Sequence, residues 1–179
     1  MGEAFEDRVV KYLENRADFK QVTHNGTEHT HGSFMDDLRK DNSKSAIALR
    51  FKPDISAIHK SIGLCYADAK RALTMEKTAY NNYMREVEVN EETIFIFIER
   101  TVRYQNEAYW QRVEKIEFID SQMIVDGFAP QDRFPIDDDG WIAPRLNGSR
   151  AGNGSGTPYR EVNIDSFIQI YDFYRVSEL

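Results

Sequence analysis

The chain has 179 residues, 41% of them hydrophobic and 30% charged, with a net charge of −7 at pH 7. That length and balance suit one globular domain with its own core and argue against disorder, while the acidic total argues against a protein that coats nucleic acid non-specifically. No apolar run is long enough to span a bilayer, and the lone Cys65 excludes an internal disulfide and suits a reducing cytoplasm.

The opening "MGEAFEDRVVKYLENR" is charged and amphipathic from its third residue, unlike an export signal. Phe5, Val9, Tyr12 and Leu13 recur at helical spacing, which predicts a helix over 3–16 with Glu3, Glu6 and Asp7 in its first turn. Residues 20–45 are polar and read as a loop around "THNGTEHTHG". Strands are predicted over 46–59 and 62–70, turning near "HKSIG", and a helix from Leu73 to about Glu88. "TIFIFIER" reads as a strand covered on both faces, and "VEKIEFID" as another, through Val113, Ile116 and Phe118. Residues 126–160 are rich in Gly, Pro and Asp and read as a long irregular loop. "YREVNI" reads as a short strand before a closing helix, "DSFIQIYDFYRV", with Asp165 as its N-cap. The order predicts a single α/β domain over 1–179, a mixed central sheet flanked by helices.

Chemistry concentrates in "FKPDISAIHKSIGLCYADAK". If the two strands turn at about Ser61, Asp54 falls opposite Asp68. Lys70 shares the face of Asp68 while Ala69 points away, and Tyr66, also on that face, reads as packing. Two carboxylates about 5 Å apart repel unless a cation lies between them. A divalent ion answers that need: Mg²⁺, or Mn²⁺, takes carboxylates, waters and phosphate oxygens. Lys70 would then orient the attacking water or stabilise charge growing on a phosphate. Glu6, or alternatively Glu3, could add a third acid from the first helix. The plain alternative is a solvated strand end with an ordinary salt bridge.

Pro53-Asp54 followed by Asp68-Ala69-Lys70 resembles the signature of the PD-(D/E)xK nuclease superfamily. "AFEDRVVKYLEN" looks like the glutamate-bearing first helix of its Holliday-junction resolvases and related phage endonucleases. The resemblance covers about residues 3–100. The gap between the two acids is longer than in the compact phage enzymes. The resemblance implies a restriction-endonuclease-like fold and a Mg²⁺-dependent DNA endonuclease. Asp54, Asp68 and Glu6 would be metal ligands, with the backbone carbonyl of Ala69, and Lys70 would be the water-activating or charge-stabilising group. It further implies DNA as partner, a homodimer for a junction-resolving enzyme, and a cytoplasmic setting, that of a bacterial host if the protein is phage-encoded. A restriction or processing nuclease on the same fold, or a nuclease-like module that binds DNA or protein without cutting, are the alternatives.

Lys52, Arg71, Lys77, Arg150 and Arg160 are candidate DNA contacts, the last two in or beside the glycine-rich "NGSRAGNGSGTPYR". His24, His29 and His31 lack the spacing of a closed zinc site and read as part of a polar loop, and His59 reads as exposed at the hairpin turn. Asp137 to Asp139 read as a turn rather than a calcium loop.

Overall fold

A computed structural model describes residues 4–25, 40, 41, 43–45, 52–129, 134–143 and 157–176. Helix α1 (Phe5–Asn15) buries Phe5, Val9, Tyr12 and Leu13, the stripe its periodicity predicts. The strands are β1 (Phe19–His24), β2 (Ile55–His59), β3 (Gly63–Lys70), β4 (Thr74–Glu76), β5 (Ile94–Val102), β6 (Gln105–Arg112), β7 (Tyr159–Glu161) and β8 (Ile168–Ile170). Helix α2 (Lys77–Asn90) links β4 to β5, and two short helices, α3 (Ser121–Asp126) and α4 (Phe173–Val176), follow β6 and β8.

The architecture is mixed α/β. Six strands form one sheet in the order β1-β2-β3-β5-β6-β8, and β4 pairs with β7 apart from it. Among the described strands only β3 and β5 run parallel; the other neighbours are antiparallel. A parallel pair needs a crossover, and α2 supplies it. One face of the sheet packs Ile55, Ala57, Cys65, Ala67, Phe95 and Phe97 against α1 and Phe173. The other packs Ile94, Ile96 and Ile98 against Met75, Ala79 and Tyr83. Strand β5 is apolar at every early position because both faces are covered. No helix among the described residues is long and apolar enough to cross a membrane.

Several expected elements are corrected. The polar segment after the first helix opens not as a loop but as edge strand β1, paired with β2 across an irregularity at Gln21, where φ is 50°. An edge strand buries one side only, and here Phe19 and Val22 suffice. Strand β2 starts at Ile55, later than expected; residues 26–39, 42 and 46–51 lie outside the described residues. The segment before α2 is extended, since Thr74–Glu76 pairs with Glu161–Tyr159, and the helix starts at Lys77.

"VEKIEFID" is not a strand. The strand is the preceding "QNEAYWQR", while Val113–Lys115 is a 3₁₀ turn and Phe118 makes one isolated bridge to Val162. The closing helix breaks into a 3₁₀ turn at Ile164–Ser166, strand β8 and the four-residue α4. Asn163, not Asp165, caps that turn, accepting a hydrogen bond from the Asp165 amide. Within the expected irregular loop, Ile142 bridges Ile136 and Tyr159; residues 130–133 and 144–156 lie outside the described residues.

Candidate active site

The β2–β3 hairpin sets the site. Its register pairs Ile55 with Ala67 and His59 with Gly63, whose φ of +83° closes the turn. One step beyond Ile55, Asp54 therefore faces Asp68, and the two carboxyl groups are in hydrogen-bonding contact. Asp68 is 2% exposed. Its Oδ2 accepts from Lys70 Nζ at 2.7 Å and from the Tyr83 hydroxyl, offered by α2, at 2.9 Å. Tyr66 packs into the α2-side core, as expected, and Ala69 into the α1-side core.

Electrostatics divides the two acids. Burial, then the charge of Asp68 and that of Glu6, pushes the Asp54 carboxyl up to about 9, against the pull of Lys70. Burial works against the Asp68 carboxylate too, but Lys70, Asp54 and Tyr83 together hold it below the usual range. The Lys70 ammonium is raised in turn: burial opposes it, and Asp68, Asp54 and Glu76 outweigh burial. Burial first, and the Asp68 charge next, lift the Tyr83 phenol far above the ordinary range. The two acids are thus pushed apart, Asp54 towards its protonated form and Asp68 towards its ionised form, with Lys70 as the counter-charge.

Glu6 approaches from α1. Its Oε1 is hydrogen-bonded to His24 Nε2 at the end of β1, and its charge is felt by Asp54. Asn25 holds the Pro53-Asp54 corner: its amide donates to Asp54 O at 2.5 Å and its Nδ2 to Pro53 O at 3.2 Å. Beyond Lys70, a recess of about 150 Å³ is lined by Lys70, Arg71, Ala72, Thr74 and Glu76.

The structure thus brings Asp54, Asp68 and Lys70 together, while Glu6 is engaged with His24 and reaches Asp54 through its charge. His24, Asn25, Glu76 and Tyr83 join the site without having been singled out for it. His24 and Asn25 were hidden by reading β1 as a loop, and Glu76 by missing β4. Tyr83 had a usable signal, a tyrosine on the helix that follows the Asp-x-Lys strand.

Asp54 and Asp68 form a pair, while Glu6 is bonded to His24. Among the described residues no three of His, Cys, Asp and Glu converge as a ready-made cation cage. The Asp54–Asp68 pair nonetheless suits a divalent ion. Its donors are hard oxygens, and Asp54 is pushed towards keeping a proton chiefly because burial and the second carboxylate penalise its charge. A divalent cation would replace that proton.

The candidate DNA contacts separate. Lys52 is exposed, and the Arg71 side chain is 67% exposed with its Nε on Glu99 at 3.2 Å. Lys77 is paired with Asp137 at 2.5 Å and Asp139 at 3.7 Å. The Arg160 guanidinium lies over Phe118 at 4.6 Å and donates to Asp139 O, a structural placement. Arg150, His29 and His31 lie outside the described residues. His59 is not exposed as expected: it packs edge-on against Phe19 and accepts from the Ser61 amide at 3.1 Å. Asp137 accepts from the amides of Asp139 and Trp141, so the acidic run is a turn.

Comparison with protein-family models, curated proteins and solved structures finds no match.

Proposed function

We propose that the protein is a Mg²⁺-dependent deoxyribonuclease of the PD-(D/E)xK type, an endonuclease that hydrolyses phosphodiester bonds in structured DNA such as a four-way junction. The observation that carries this reading is the contact of Asp54 with Asp68, and of Asp68 with Lys70 at 2.7 Å, at the adjoining ends of two antiparallel strands. The order of a helix, three antiparallel strands, a crossover helix and a parallel strand supports a restriction-endonuclease-like fold.

Asp54 and Asp68 would hold the cation, with Glu6 as a further acid and the Ala69 carbonyl as a further oxygen. When bound, Mg²⁺, or Mn²⁺ in its place, would polarise the phosphate and lower the pKa of the attacking water. Tyr83 fixes the Asp68 carboxylate, and that carboxylate in turn holds Lys70. Lys70 borders the recess, where its charge would stabilise the negative charge that grows on a phosphate. Glu76, acting on Lys70 from the start of α2, helps to keep the amine protonated. A junction-directed enzyme needs two such sites and hence a homodimer, in the cytoplasm.

The test is incubation with four-way junction, duplex and single-stranded DNA, in Mg²⁺ and in EDTA. Cleavage should require Mg²⁺ and be lost in Asp54→Asn and Lys70→Met variants that retain the native circular dichroism. Preference among the three DNAs separates a junction resolvase from a restriction or processing nuclease. Binding of DNA without cutting in any of these conditions would leave a non-catalytic module.

A further inference from the structure

Lys70 and Arg71 are consecutive, so they leave the end of β3 on opposite faces of the sheet, yet both line the same recess. Lys70 turns to Asp68 on the α2 face. Arg71 turns to Glu99 on the α1 face. Glu99 is itself 6% exposed, unusual for a glutamate, and its oxygens are divided between two tasks. Oε1 accepts from the Tyr174 hydroxyl at 2.6 Å and Asn106 Nδ2 at 3.2 Å, and faces Arg8 Nη1 at 3.4 Å. Oε2 accepts from Arg71 Nε at 3.2 Å.

Two guanidiniums therefore meet one carboxylate. Arg8, whose side chain is 14% exposed, is enclosed; Arg71 is the solvent-facing partner. Because Glu99 takes only Nε, the two terminal nitrogens of Arg71 have no hydrogen-bond partner among the described residues. An arginine oriented through Nε with both Nη groups open presents a fork that fits phosphate oxygens.

We propose that Arg71 is a second phosphate-binding group, taking the phosphodiester next to the one that reaches Lys70, and that buried Glu99 is the residue that positions it. The inference rests on the nuclease reading for its ligand, a DNA strand laid across the end of β3. Glu99 touches no substrate in this scheme; it acts through Arg71.

DNA binding measured in EDTA against salt concentration tests this, with Arg71→Ala, Arg71→Lys and Glu99→Gln compared with the unaltered protein on four-way junction and duplex DNA. Arg71→Ala should weaken binding several-fold and lower the salt slope by about 1. Arg71→Lys keeps the charge but not the Nε anchor, so it should also weaken binding while retaining the slope. Glu99→Gln is decisive through its sign. Removing a negative charge would by itself tighten DNA binding, whereas loss of positioning weakens it. Tighter binding by Glu99→Gln, or an unchanged slope in Arg71→Ala, would overturn the proposal. Should Glu99→Gln fail to fold, the two variants at exposed Arg71 still decide. Cleavage by the unaltered protein in Mg²⁺ is scored separately. Salt-dependent binding through Arg71 without cleavage overturns the nuclease reading alone, and absence of DNA binding overturns both.

Discussion

Asp54 is the residue whose ordinary chemistry the fold reverses. An exposed aspartate ionises near 4, but here burial and the neighbouring Asp68 carry its carboxyl to about 9. A carboxyl raised in the folded state favours folding fully below its unfolded pKa and loses that contribution as pH climbs towards the folded value. Asp68 runs the other way, because Lys70 and the donors around it hold it down against burial, so its share of stability is lost only in acid. In EDTA, therefore, the unaltered protein should lose part of its stability between about pH 5 and pH 9 through Asp54. Asp54→Asn, which cannot acquire the charge, should abolish that part. Urea unfolding at pH 5, 7 and 9 is the measurement. The variant should gain relative to the unaltered protein as pH rises, by about 1–3 kcal/mol at pH 9. A difference that is flat with pH, or that shrinks, would mean that Asp54 carries no proton in the folded state. A gain in stability from removing an ionisable charge is what a site under electrostatic strain should give.

At the scale of elements, what could be read in the sequence followed the strength of local periodicity. Helix α1 and strand β5 were legible because burial on one stripe, or on both faces, writes itself as a regular apolar pattern. The hairpin register was legible from the turn alone, and with it the meeting of Asp54, Asp68 and Lys70. Strands β1, β6 and β8 were not. β1 is an edge strand with a bulge, β6 opens with the exposed Gln105 and Asn106, and β8 has three residues, so none carries a full alternation. That is why the C-terminal segment looked like one helix: Phe167, Ile170 and Phe173 fall at a spacing of three, yet the chain reaches those buried places by a turn, a strand and a further turn. Phe173 shows what this short piece does. It is fully buried, with ring centroids 5.5 Å from Phe5 and 5.3 Å from Tyr12, and so fastens α1 to the sheet. Phe173→Ala should cost about 3–5 kcal/mol in denaturant unfolding. Because Glu6 and Arg8 ride on α1, hydrogen exchange in that helix should rise more than in α2. Equal loosening of both helices would show that α4 does not act through α1.

The whole molecule is acidic, yet its candidate site gathers groups from most of the fold: Glu6 from α1, His24 from β1, Asp54 ahead of β2, Asp68 and Lys70 from β3, Tyr83 from α2. A cation that binds the Asp54–Asp68 pair is linked to the folding of the entire domain, because these groups are adjacent only when the sheet and both helices are assembled. By mass action an ion present at a hundred times its Kd adds about 2.7 kcal/mol to the unfolding free energy, provided that the unfolded chain does not bind it. Mg²⁺ should therefore raise the Tm by several degrees, and Mn²⁺ likewise. The rise should be absent in Asp54→Asn, even though that variant is the more stable protein in EDTA. The effect should also grow with pH, because the cation must displace the Asp54 proton, and below about 9 that displacement works against binding. Isothermal titration in two buffers of different ionisation enthalpy counts the proton directly: close to one released per ion at pH 7, and none in the variant. Ion binding that releases no proton would place the cation elsewhere on the acidic surface, and no divalent ion binding at all would leave Lys70 as the sole counter-charge for which the two aspartates are built.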